Sequence, residues 1–145
     1  MKKTLKRSLL VMLALLTMVI GVFADAKRTE AAVTYNNAVY ATILCSIDSN
    51  GTLSTIMTAV GTNGLTKRIG VELYVEKRIL GLFWKRVDIG CTNNIWADST
   101  TSITYCNTFT HNLTSQGKYR VTVTYTFYGN GVADDVIVKT DIKTY

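Results

Sequence analysis

The sequence contains no proline, a single histidine and only three cysteines in 145 residues. Three cysteines are too few for a scaffold held together by disulfides. The lone His111, in a chain without His-x-x-x-His or Cys-x-x-Cys spacing, gives no metal-ligand pattern, and no cofactor is implied. Without proline, an exposed sheet edge must be protected by charge instead. Charged residues make up 18% and hydrophobic ones 48%, which is too apolar for a disordered chain, and the length allows one domain at most.

What is present begins with a basic head (Lys2, Lys3, Lys6, Arg7) followed by an apolar run from Leu9 to Phe23. This is the anatomy of a secretory signal, with small residues where a peptidase would cut, after Ala24 or, preferably, after Ala26. The apolar run of 15 residues would reach about 22 Å as a helix, short of the roughly 30 Å hydrocarbon core, which favours cleavage over a retained anchor. Removing residues 1–26 leaves 12 basic and 9 acidic groups, a charge of +3 over 119 residues. The predicted product is secreted, and its weak net charge argues against nucleic acid as a partner.

From Val33 onward apolar residues recur at every second position, the period of a half-buried strand. Ile69, Val71, Leu73 and Val75 alternate with polar neighbours, and so do Tyr119, Val121, Val123, Tyr125 and Phe127. Turn sequences at 48–51, 61–64, 81, 115–117 and 129–131 divide the chain into seven strands, about 38–47, 52–60, 67–79, 83–91, 102–111, 118–128 and 134–143. This pattern predicts an all-β domain over 33–145, an antiparallel sandwich, with a small barrel as the alternative. In the last strand Val136, Val138 and Ile142 share one face and Lys139, Asp141 and Lys143 the other, charges suited to guarding an edge.

The segment Leu113-Thr-Ser-Gln-Gly117-Lys-Tyr119-Arg-Val121 looks like the tyrosine corner of immunoglobulin and fibronectin-III-like sandwiches, with Gly117 turning into the penultimate strand and the Tyr119 phenol bonding back upstream. Val121 stands where antibody domains often have cysteine, so the usual intersheet disulfide is absent. With the signal, the Asn-Gly before the second strand and the step Trp84-Lys85-Arg86-Val87, the chain resembles a family of small secreted Gram-positive bacterial proteins of unknown function. The resemblance implies a fold, with Trp84 in the fourth strand, and an extracellular address. It brings no catalytic residues.

Three cysteines in an exported chain permit one disulfide. Cys91 and Cys106 bracket a polar loop containing Trp96, Asp98 and Ser99, and their pairing would close about 15 residues, stabilising by up to about 3 kcal/mol. Cys45, in phase with Ile43 and Ile47, reads as a core thiol. A nucleophilic cysteine served by His111 would need an orienting group that the sequence does not supply. Asp134 and Asp135 after the Gly-Asn-Gly turn provide too few oxygens for calcium and read as a solvated loop.

One segment departs from a plain sandwich. Residues 77–86 run Lys77-Arg78-Ile79-Leu80-Gly81-Leu82-Phe83-Trp84-Lys85-Arg86, two dibasic pairs around an apolar hairpin tip. So close to the turn, the apolar residues cannot all face the core. Exposed, they would suit an anionic envelope polymer or membrane surface. The plainer alternative is that Trp84 and Leu82 cover one end of the sandwich between solubilising cations. The sequence therefore predicts a non-catalytic binding or structural module of the cell envelope or extracellular space. The alternatives are a secreted membrane-active antagonist or, third, a hydrolase built from separated loop residues.

Overall fold

Strict alternation makes strands of Thr66–Ile79 (β3) and Lys118–Gly129 (β7), which pair antiparallel and place Ile69, Val71, Leu73, Val75, Val121, Val123, Tyr125 and Phe127 fully inside. The structure, a computed structural model, describes residues 34–130 and 133–145. The predicted signal 1–26, Val33 at the start of the predicted domain, and Gly131 in the last turn lie outside the described residues.

Two antiparallel sheets form a sandwich-like all-β unit. One sheet joins β1 (Ala38–Ile47), β2 (Thr52–Gly61) and β6 (Thr104–Asn112) in the order β1-β2-β6. The other runs β4-β3-β7-β8, where β4 is Phe83–Arg86 and β8 is Asp135–Thr144. The short β5 (Trp96–Thr100) also pairs with β3. β7 takes one edge of the 14-residue β3. The other edge is shared, with β5 along Ile69–Leu73 and β4 along Glu76–Ile79.

The core lies between the layers. Leu53, Met57 and Ala59 of β2, with Tyr105 and Phe109 of β6, meet the inward rows of β3 and β7. Each large side chain fully buried in this way contributes about 1.5–3 kcal/mol. The Tyr125 phenol crosses the core and donates to the Thr42 carbonyl at 2.8 Å, tying the layers together with its polar end satisfied.

Among the described residues eight strands replace the expected seven. The expected strand 83–91 ends at Arg86, because after Val87 the chain turns away through Asp88–Gly90 and a 3-10 turn at Thr92–Asn94. The polar segment expected as a loop then returns as β5. It has no apolar alternation, and its register comes from pairing Trp96 with Leu73 and Ser99 with Gly70.

The expected Cys91–Cys106 bridge is not formed: all three cysteines are free. Cys106 alternates with buried Tyr105 and points outward from β6, whereas Cys91 packs against the core cluster. One thiol is thus exposed and the other packs against the core. Cys45 is the buried core thiol the spacing predicts, within 3.5 Å of the Thr55 hydroxyl.

Asp135 also departs from the solvated loop expected for it. It is buried, and one carboxylate oxygen accepts from the backbone N–H groups of Asn37, at 2.5 Å, and Ala38, at 3.0 Å, fastening the start of β1 to β8. On β8, the charged row Lys139, Asp141 and Lys143 shares a face with buried Ile137, while Val136 and Val138 are exposed on the opposite face. Charges turned toward the interior on an edge strand are one way of preventing further strand addition.

Candidate functional site

The β3–β4 hairpin brings the sequence-selected residues together at one end of its sheet. Leu82 N–H donates to the Ile79 carbonyl at 3.0 Å, closing a turn in which Leu80 has φ 50° and Gly81 φ 70°. Two consecutive positive φ values mark a type I′ turn, which glycine and asparagine adopt readily. A leucine there costs roughly 1–2 kcal/mol, because its Cβ crowds the following carbonyl.

The tip is exposed. Leu80 is 85%, Leu82 79% and Phe83 53% accessible, whereas Ile79 is half-buried. Leu82 therefore does not cover the end of the sandwich. Trp84 is half-buried on the outer face, opposite Arg78 in the ladder.

The cations divide by what they touch. Lys77 donates to the Ser115 hydroxyl at 2.6 Å and lies 5.5 Å from the Tyr119 ring centre, so it belongs to the turn that leads into β7. Arg78 donates from Nε to the Gly81 carbonyl at 2.9 Å, bracing the turn, with its guanidinium 5.8 Å from the Trp84 ring centre. Arg86 stacks on Tyr74 at 3.6 Å. Lys85 is exposed.

Two residues not selected from the sequence join this face from β7. Arg120 lies 4.5 Å from the Trp84 ring centre and pairs with Glu76 at 2.7 Å. Lys118, with Arg78 and Gly81, lines a shallow open depression of about 460 Å³. In the β3–β7 ladder Arg120 stands opposite Glu76 and Lys118 lies just beyond the Lys77–Tyr119 pair, so that pairing was needed to find them.

At the corner, the Tyr119 phenol donates to the Ser115 carbonyl at 2.5 Å, and Gly117 exchanges backbone hydrogen bonds with Tyr145 at 3.1 and 3.0 Å. This is the upstream bond expected of Tyr119.

Elsewhere, Asp98 of β5 accepts from the Asn107 amide at 2.9 Å and the Tyr105 phenol at 3.0 Å, linking β5 to β6. The Asn107 bond chiefly, with those from Ser99 and Tyr105, holds the Asp98 carboxyl below the usual carboxylate range. Burial first, and Asp98 second, push the Tyr105 phenol up. Burial likewise raises the Cys45 thiol, which opposes thiolate formation. His111 stacks on Phe109. Among the described residues no group of three or more His, Cys, Asp or Glu side chains could hold a metal.

No protein-family model matches this sequence, and no curated protein matches it.

Proposed function

We propose that this is an exported, non-catalytic binding module of the immunoglobulin or fibronectin-III-like type, which docks on an anionic envelope polymer or membrane surface through its β3–β4 hairpin. The connectivity supports the fold assignment. Strands 1, 2 and 6 form one layer and strands 3, 7 and 8 the other, the arrangement of strands A, B, E and C, F, G in such sandwiches. The Tyr119–Ser115 bond supports it independently. Export rests on the signal anatomy of residues 1–26, and the family resemblance adds a Gram-positive, extracellular setting.

One observation carries the docking surface: Leu80 is 85% exposed in a left-handed turn that glycine would adopt without strain. Leu80, Leu82 and Phe83 would enter the apolar margin of the surface, while Arg78, Lys85, Arg86 and Lys118 meet its negative charge.

Co-sedimentation of residues 27–145 with vesicles containing anionic lipid, and with cell walls, tests this. Retention is expected at low salt, weakening as salt shortens the Debye length below about 10 Å. Leu80→Ser with Leu82→Ser should abolish it without changing the urea midpoint. A parent protein retained on neither material overturns the reading, and release of vesicle-trapped dye would assign a membrane-disrupting antagonist instead.

A further inference from the structure

Arg78 and Lys118 stand side by side on the outward face of their sheet, both exposed. Lys118, one step past the Lys77–Tyr119 pair, comes level with Arg78, and the two line the open depression together with Gly81. Like charges facing each other across a ladder destabilise a sheet. A neighbouring carboxylate would relieve them, but neither forms an ion pair among the described residues. In the next row Glu76 stands between Arg86 and Arg120, and its carboxylate is bound to Arg120 at 2.7 Å.

The Arg78 side chain is nonetheless held in place. Its Nε donates to the Gly81 carbonyl at 2.9 Å and its guanidinium lies 5.8 Å from the Trp84 ring centre, while its two terminal nitrogens have no hydrogen-bond partner among the described residues. A guanidinium fixed at one edge and open at the other is set to make two parallel bonds to an oxyanion. A pair of cations kept together against their own repulsion breaks a local rule, as natural sequences do at functional sites.

We propose that the depression between Arg78 and Lys118 is a phosphate site, which takes the headgroup phosphate of an anionic phospholipid. The proposal rests on docking through the hairpin and names what the hairpin docks on. A phosphate bridging Arg78 and Lys118 replaces their repulsion with charge-assisted contacts. The adjoining turn selects lipid as its source. Leu80 and Leu82, 85% and 79% exposed, find nothing apolar in a hydrated wall polymer, whereas in a bilayer the acyl margin lies directly beneath the phosphate layer. Shallow and open, the depression of about 460 Å³ suits a group that stays attached to a surface rather than a ligand to be enclosed.

Phosphatidylcholine vesicles of equal zeta potential, their negative charge borne either by phosphatidic acid or by the carboxylate of cholesteryl hemisuccinate, separate a phosphate site from general attraction to charge. Residues 27–145 should bind the phosphatidic acid vesicles about tenfold more tightly, the effect of one charge-assisted hydrogen bond. Arg78→Gln and Lys118→Gln should each remove that preference while keeping the weaker binding to carboxylate vesicles, and Lys118→Arg should retain it. Because the two cations repel, Lys118→Gln should leave the urea midpoint in phosphate-free buffer unchanged or raised. A lowered midpoint would make Lys118 a structural residue and overturn the site. Equal binding to both kinds of vesicle overturns the phosphate site and leaves hairpin docking standing, whereas binding to neither overturns both. Binding to a phosphodiester wall polymer without binding to phosphatidic acid vesicles overturns the lipid assignment.

Discussion

The side-chain amide of Asn37 lies against Gly129 in the space a β-carbon would fill. Asn37 is fully buried. Its Nδ2 donates to the Ala133 carbonyl at 2.7 Å, and its own carbonyl accepts from Thr62 N–H at 2.7 Å and the Thr66 hydroxyl at 2.5 Å. Among the described residues its Oδ1 has no hydrogen-bond partner, and it lies against the glycine. One asparagine thereby joins the approach to β1, the β2–β3 turn and the chain before β8.

Gly129→Ala should consequently destabilise the protein by about 1–3 kcal/mol, the range for overpacking a filled site. Backbone strain plays no part, because Gly129 does not have positive φ. Urea unfolding checks this, and adding Asn37→Gly to the alanine variant should recover part of the loss by clearing the space.

Stability should fall at both ends of the pH scale for identifiable reasons. The Tyr105 and Tyr125 phenols are raised, first by burial, so their contribution is complete below the ordinary value of 10.0 and is lost as pH rises toward their folded values. Asp98 is lowered, so its contribution is present above the ordinary 3.8 and disappears as pH falls through its folded value. Urea midpoints measured against pH should lose part of the acid slope in Asp98→Asn. In an absorbance titration of the eight tyrosines, the ionisation of Tyr105 and Tyr125 should coincide with alkaline unfolding.

At the hairpin, Leu80→Asn should raise stability by about 1 kcal/mol, since asparagine tolerates the left-handed conformation. It should also weaken vesicle retention. Denaturation and co-sedimentation on one preparation separate the two effects, and a stabilised variant with undiminished retention would leave Leu80 without a role in docking.

The thiols should react in the order of their exposure. An aromatic disulfide reagent should modify Cys106 promptly and Cys91 more slowly. Cys45, buried and with its pKa raised, should react only on unfolding. Three thiols titrated in the denatured, unreduced protein are expected, and a single one would mean that a bridge forms.

The long strands were legible because one-sided burial leaves a period in the sequence: β3 and β7 fall where Ile69–Val75 and Tyr119–Phe127 alternate. β5 was not legible. Trp-Ala-Asp-Ser-Thr has no such period, and its strand is fixed by the β3 edge and by Asp98 reaching β6. On β8 the alternation was visible, but it does not specify the direction of each row, which pairing with β7 and proximity to β1 decide. Dibasic clustering marked the hairpin, yet only register brings Lys118 and Arg120 beside it and separates Lys77 from it.

β3 lends separate lengths of one edge to β4 and β5, and the tip at 80–82 lies beyond the last β3–β4 pair, Ile79 with Phe83. Its composition can drift, or its loop lengthen, without shifting any neighbouring register. A lineage could retune what the molecule adheres to while inheriting an unchanged scaffold, and an engineer could graft a different recognition loop at the same place.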